Sequence, residues 1–216
     1  MGYTTDFSGE LEIYPEITPE HRAYINQFSN TRRMKRNPDI TLLLEDPYRD
    51  NVDLEGDGYY GVEGGYFVNG DGVAGQARDA SIIDYNSPPL GQPGLWCQWV
   101  VNDYNYLEWD GGEKFYNYTE WLDYLIEHFF EPWGYTLNGE IKWQGEDMGD
   151  SGVISVIDNK VEERSMAEQE LSLDSLKEAW YDYKDYLQKK YPAEPNMEWR
   201  WTCPHHQKID KILQEF

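Results

Sequence analysis

Four cations fall within the six residues Thr31-Arg32-Arg33-Met34-Lys35-Arg36, out of 18 in a chain of 216 residues. Arginine presents a planar fork that grips carboxylate or phosphate oxygens in pairs, which makes Arg32, Arg33, Lys35 and Arg36 candidates for an anion pocket. The competing reading is structural: at the C-terminal end of a helix, cations complement the dipole. A second candidate is the loop Asp84-Tyr85-Asn86-Ser87-Pro88-Pro89-Leu90-Gly91-Gln92-Pro93-Gly94. Its prolines stiffen the backbone and suit a binding loop offering Asp84, Asn86 and Gln92, although rigid turns also simply join strands. Carboxylates gather at Glu108, Asp110 and Glu113, and again at Glu146, Asp147 and Asp150. Such pairs can move protons, hold a hard cation or flank a glycosidic bond. Their spacing selects none of these, and with 41 acidic residues such groupings arise by number alone. They stand as candidates for an interaction surface.

Other chemistries find less support. Cys203-Pro204-His205-His206 looks like half of a zinc site, but Cys97, His21 and His128 are not paired to complete it. No nucleophile elbow, phosphate-binding lysine loop or dinucleotide glycine pattern occurs. No catalytic residue, metal or cofactor is assigned, and the motifs favour a binding protein over an enzyme. The two cysteines read as reduced thiols.

Certain elements must position these groups. Thr18-Pro19 opens a helix expected over 19–34, which puts the basic cluster at its end. Alternation in Gly9-Glu10-Leu11-Glu12-Ile13 predicts a strand. Short strands at 66–68, 81–85, 95–100 and 106–109 predict an antiparallel meander. Asn117 opens a second core helix that stops at Pro132-Trp133-Gly134, and 137–144 and 153–161 read as strands with a tight turn at Asp158-Asn159. Separate runs of helix and strand indicate an α+β fold, an antiparallel sheet packed with two core helices. A helix at 173–191, with a last short one at 205–216, forms a C-terminal helical extension.

The formal charge is -23. Residues 1–36 carry a net 0, residues 37–163 a net -21 and residues 164–216 a net -2. The break near Arg164 divides an acidic core domain, 1–163, from the extension, 164–216. So acidic a chain gains nothing from phosphate neutralisation, which argues against direct nucleic-acid binding, and the same reasoning argues against anionic membranes. No membrane span or signal pattern is present, so the expected compartment is the cytoplasm. The 34 aromatic residues must largely build the core, and any surplus would suit protein-binding hot spots or sugar stacking.

Tyr3-Thr4-Thr5-Asp6-Phe7, the basic cluster, Val62-Glu63-Gly64-Gly65-Tyr66 and the stretches 84–99, 108–116 and 132–147 resemble a family of small acidic proteins encoded by bacteriophages and prophages. The resemblance spans about residues 1–163. It implies a bacterial host cytoplasm as the setting and carries over no catalytic residues. Two functions follow as expectations. One is an accessory interaction protein whose acidic, aromatic surface binds and inhibits a host protein, such as a defence or nucleic-acid-binding enzyme, in the manner of a DNA mimic. The other is a small anionic-ligand binder or enzyme built on Arg32–Arg36 with nearby carboxylates. The amphipathic extension can dock on the core or pair two chains into a homodimer.

Overall fold

A computed structural model describes residues 2–52, 54, 60–68, 78–190, 207, 209 and 211. It divides into two units, Met1–Arg164 and Ser165–Phe216. In chain order the elements are β1 (Thr5–Tyr14), α1 (Pro19–Ser29), β2 (Lys35–Arg36), α2 (Pro38–Thr41), β3 (Ile82–Asp84), β4 (Trp99–Val101), β5 (Tyr106–Trp109), α3 (Tyr118–Leu125), β6 (Thr136–Gly145), β7 (Ser151–Ile157), β8 (Lys160–Ser165) and α4 (Met166–Lys190). A π-helical turn, Ile126–Phe130, continues α3. The fold is α+β, with a six-stranded sheet ordered β4-β5-β1-β6-β7-β8 and a two-stranded sheet of β2 and β3.

The β1–β6 ladder is the centre of the sheet. It is antiparallel and unbroken from Thr5 opposite Gly145 to Tyr14 opposite Thr136. Alternation divides its faces: Phe7, Leu11, Ile13, Leu137, Ile141 and Trp143 are buried, whereas Asp6, Ser8, Glu10, Glu12, Glu140 and Lys142 are exposed. The buried face packs on Tyr24, Ile25 and Phe28 of α1 and on Trp121, Leu122, Leu125, Phe129 and Phe130 of α3 and its π turn. Aromatic edges fill the middle. Phe7 meets Trp99, Trp109, Phe115 and Tyr118 in T-shaped contacts at centroid distances of 4.8 to 5.8 Å.

Four expected elements of this unit differ. The strand expected at 95–100 forms only over Trp99–Val101. Helix α1 ends at Ser29 rather than 34, because Asn30 N–H turns back to Asn26 and Phe28 carbonyls and Thr31 Oγ1 caps Gln27 O. The segment 66–68 is not a strand, and its polar backbone atoms bond instead to Asp46 and Arg33. Residues 82–84 leave the expected meander to pair with Lys35–Arg36. The Asp158-Asn159 turn forms with both residues at positive φ, 48° and 66°, as a two-residue hairpin requires.

In the second unit, α4 begins at Met166, before the expected 173. It carries ion pairs Lys177–Asp174 and Lys189–Asp185, while Leu176, Tyr181 and Tyr186 are exposed. The expected terminal helix at 205–216 and the Cys203-Pro204-His205-His206 motif lie outside the continuously described residues.

Two glycines permit the close β1–β6 approach. Gly9 has φ 113° and Gly139 φ 145°; a Cβ on Gly9 would overlap Glu140 O, and one on Gly139 would sit 2.7 Å from Glu10 O. Gly9→Ala and Gly139→Ala are each expected to destabilise the protein by about 2–3 kcal/mol in chemical denaturation. Gly111→Ala, at φ 82° in open space, should cost only about 1 kcal/mol.

Candidate functional site

The basic cluster lies beyond α1, whose last turn holds no cation, so dipole complementation does not account for it. Arg33 is 2 % exposed. Its guanidinium donates to Gly65 O (2.9 Å), Phe67 O (2.7 Å), Phe28 O (3.4 Å) and Gln92 Oε1 (3.3 Å) and lies over the Phe28 ring. Burial pushes its pKa down to about 10, which leaves it protonated at neutral pH. Arg36 is equally buried and donates to Asp79 Oδ2 and Ser81 Oγ, both at 2.7 Å. Lys35 pairs with Glu63 at 3.2 Å.

The proline-dense loop meets this cluster. Arg32 donates to Tyr85 O (3.3 Å) and Asn86 Oδ1 (3.4 Å) and lies over the Tyr85 ring. Asp84 accepts from Asn86 N–H and Ser87 O–H, which hold its carboxyl below the usual range. Gln92 Nε2 donates to Gly65 O and to Tyr124 Oη (2.9 Å). The network continues through the aromatic layer, where Tyr124 packs on His128 and Tyr66 Oη lies 2.9 Å from His128 Nδ1. Burial pushes the His128 pKa down. The structure therefore brings Arg32, Arg33, Lys35, Arg36, Asp84, Asn86 and Gln92 into one region, where the two arginines with fully buried side chains spend their donors on the fold.

The acidic candidates separate into two places. Glu108 and Asp110 lie at β5 and just after it. Glu108 accepts from Asn102 Nδ2 (2.9 Å), and Asp110, exposed yet with its pKa pushed up by partial desolvation, accepts from Gly112 N–H. Glu113 contributes its carbonyl to Gln98. Glu146, Asp147 and Asp150 instead form the β6–β7 loop and clip the N-terminus: Glu146 accepts from Thr4 N–H, Tyr3 O–H donates to Asp150, and Asp147 N–H donates to Tyr3 Oη. The six-residue rise of β1 from Thr4 to Glu10 sets the groups roughly 20 Å apart.

Residues not singled out in the sequence complete the first group. Glu10 stands directly opposite Glu140, and Glu12 opposite Tyr106. Glu108, opposite Val100, shares that open face by alternation. Glu108, Glu10 and Glu140 thus cross three adjacent strands; along β1 the row is flanked by Glu12 and Ser8, with Asp6 beyond, and Lys142 stands opposite Ser8 beside Glu140. Alternation in 5–14 marks one face, but only the pairing register reveals the row. Beside it a cleft of about 660 Å³ between α1 and β4–β5 is lined by Asn26, Asn30, Asn102, Asp103, Glu108 and Asp110 among others, with no Lys or Arg in its lining. A further acidic row, Glu120, Asp123 and Glu127, runs along α3 and its π turn, where partial burial and then the two neighbouring carboxylates push Asp123 up.

Among the described residues, no group of three or more His, Cys, Asp or Glu is placed to hold a metal ion. Cys97 is buried with its thiol pushed up to about 12, which removes it as a nucleophile at neutral pH. Every described tryptophan is buried or half-buried, so none forms an exposed stacking platform. No described helix is long and apolar enough to cross a membrane.

Two stability outcomes follow from this arrangement. Arg33→Met removes the donor to Phe67 O and to Gln92 Oε1 and one of the donors to Phe28 O and Gly65 O, and should cost about 3–5 kcal/mol, against less than about 1 kcal/mol for Arg32→Ala, by urea titration. Burial opposes ionisation of Asp79, but its bonds to Ser81 and Arg36 prevail and lower its pKa. A depressed folded pKa means that the unfolded chain binds the proton more tightly. The Asp79 contribution is therefore present above about pH 3.9 and lost as pH falls through the lower folded value. The stability gap between wild type and Asp79→Asn should shrink in urea titrations taken from pH 6 to pH 3.

No protein-family model, curated protein or solved structure matches this chain.

Proposed function

We propose that this is a phage or prophage accessory protein that binds and occupies a basic surface of a host protein in the bacterial cytoplasm, using the open face of its sheet. The observation that carries the reading is the Glu108, Glu10 and Glu140 row, with Glu10 and Glu140 directly opposed. Like charges facing each other across paired strands destabilise a sheet. Solubility needs carboxylates on the surface but no such alignment. A cationic partner converts the repulsion into attraction, and the adjoining carboxylate- and amide-lined cleft offers a recess for a lysine or arginine side chain. A nucleic-acid-binding groove is the kind of partner such a surface suits, because its cations are already spaced to receive a row of anions.

The small-anion alternative is less well supported. Arg33 and Arg36 are buried and bonded within the fold, and Lys35 is paired with Glu63. Only half-buried Arg32, held by neutral acceptors, retains the character that reading needs.

Glu10→Lys/Glu140→Lys protein should lose the host protein that wild type retains from lysate at low salt, and wild-type capture should weaken steeply as salt rises. Equal retention by both proteins, or none by wild type, overturns the reading. Glu140→Gln alone should weaken capture while raising folding stability by about 0.2–1 kcal/mol, measured by thermal or urea unfolding.

A further inference from the structure

The two edges of the six-stranded sheet are finished differently. At β4 the edge is closed by side chains of α1: Asn26 Nδ2 donates to Val101 O (2.9 Å), Asn26 Oδ1 accepts from Val101 N–H (2.7 Å), and Ser29 Oγ donates to Trp99 O. At the other end β8 is the terminal strand, and within the Met1–Arg164 unit no described strand pairs with its outer side. An uncovered edge is a template for another strand.

The exposed face of this edge carries Lys160, Glu162 and Arg164, with Asp158 in the turn before them, alternating in sign at every second residue. Lys160 and Glu162 share the open sheet face with Ser155 and Ile157, and Arg164 reaches Glu162 at 2.7 Å. A pattern of minus, plus, minus, plus is its own complement when run antiparallel. Backbone geometry selects the register. The two-residue turn makes Ile157 and Lys160 its closing pair, so Lys160 and Glu162 direct their backbone groups toward β7, and Val161 and Glu163 direct theirs outward. Antiparallel self-pairing must therefore match odd-numbered residues with odd-numbered ones. Placing Val161 opposite Val161 sets Lys160 against Glu162 twice, while Asp158, in the turn, lies outside the pairing strand. Shifting by two residues sets Lys160 against Arg164 and Glu162 against itself, which is repulsive.

We propose that β8 is a self-association edge: two copies of this chain pair antiparallel about Val161, joining their sheets through two Lys160–Glu162 contacts. This surface is distinct from the acidic row. The chains are each strongly negative, so long-range repulsion opposes the encounter and salt relieves it, whereas the contact pairs persist at short range. Dimerisation should strengthen from about 10 to 150 mM salt, the opposite of the trend expected for capture of a basic partner.

Sedimentation equilibrium on the full-length protein, with circular dichroism to verify folding, tests the proposal. Wild type should approach about 51 kDa, twice the 25.5 kDa chain. Lys160→Glu and Glu162→Lys should each weaken the dimer roughly 100-fold by turning two attractive pairs repulsive. The double swap Lys160→Glu/Glu162→Lys should restore it, and the two single variants mixed should form a heterodimer. A wild type that stays at 25.5 kDa in 150 mM salt, or a dimer indifferent to Lys160→Glu, overturns the proposal.

Discussion

Burying a guanidinium is unfavourable unless its N–H groups find acceptors, and Arg33 finds them on three separate stretches of chain. Phe28 O lies near the end of α1, Gly65 O and Phe67 O belong to a segment without strand structure, and Gln92 belongs to the proline-dense loop. Backbone carbonyls in irregular segments have no ladder to satisfy them. Arg33 supplies that satisfaction to Phe67 O and shares Gly65 O with Gln92, which passes the connection on to Tyr124 and the π turn beyond α3. The irregular part of the first unit is thus organised around a cation, as its regular part is organised around the β1–β6 ladder. Arg36 repeats the device at a smaller scale with Asp79 and Ser81.

The sheet then divides its exposed surfaces by kind. One edge is closed by the amide of Asn26, which matches a strand's own donor and acceptor. The open face bears carboxylates concentrated over β5, β1 and β6, with one cation among them, Lys142 on β6, and two more on β8, Lys160 and Arg164. Net charge hides this division. A chain of -23 contains a strand, β8, whose open face alternates in sign from Lys160 through Glu162 to Arg164.

Much of the local structure was legible. Thr18-Pro19 caps α1, Asn117 precedes α3, and Asp158-Asn159 turns the β7–β8 hairpin, because each depends on residues adjacent in sequence. The end of α1 was less legible: nothing in 30–34 breaks a helix as proline would, and the stop comes from the bonds by which Asn30 and Thr31 turn back onto Asn26, Gln27 and Phe28. Strand 82–84 pairs with Lys35–Arg36 across more than forty residues, and no local pattern selects that partner. The acidic row was hidden for a related reason. Glu10 and Glu140 are each visible as exposed positions of alternating strands, yet their opposition depends on a register set by two glycines that allow the backbones to approach.

Sequence by itself determined the quantities that sum over residues or repeat along a strand: the charge and its confinement to the middle of the chain, the α+β pattern, and the alternation that separates buried from exposed positions. Tertiary structure decided what long-range pairing and desolvation govern. It made Arg33 and Arg36 scaffold rather than free cations, because each lies where carbonyls or a carboxylate converge. It also set Glu108, Glu10 and Glu140 side by side, because a strand's partner and register are chosen by the packing of the whole sheet.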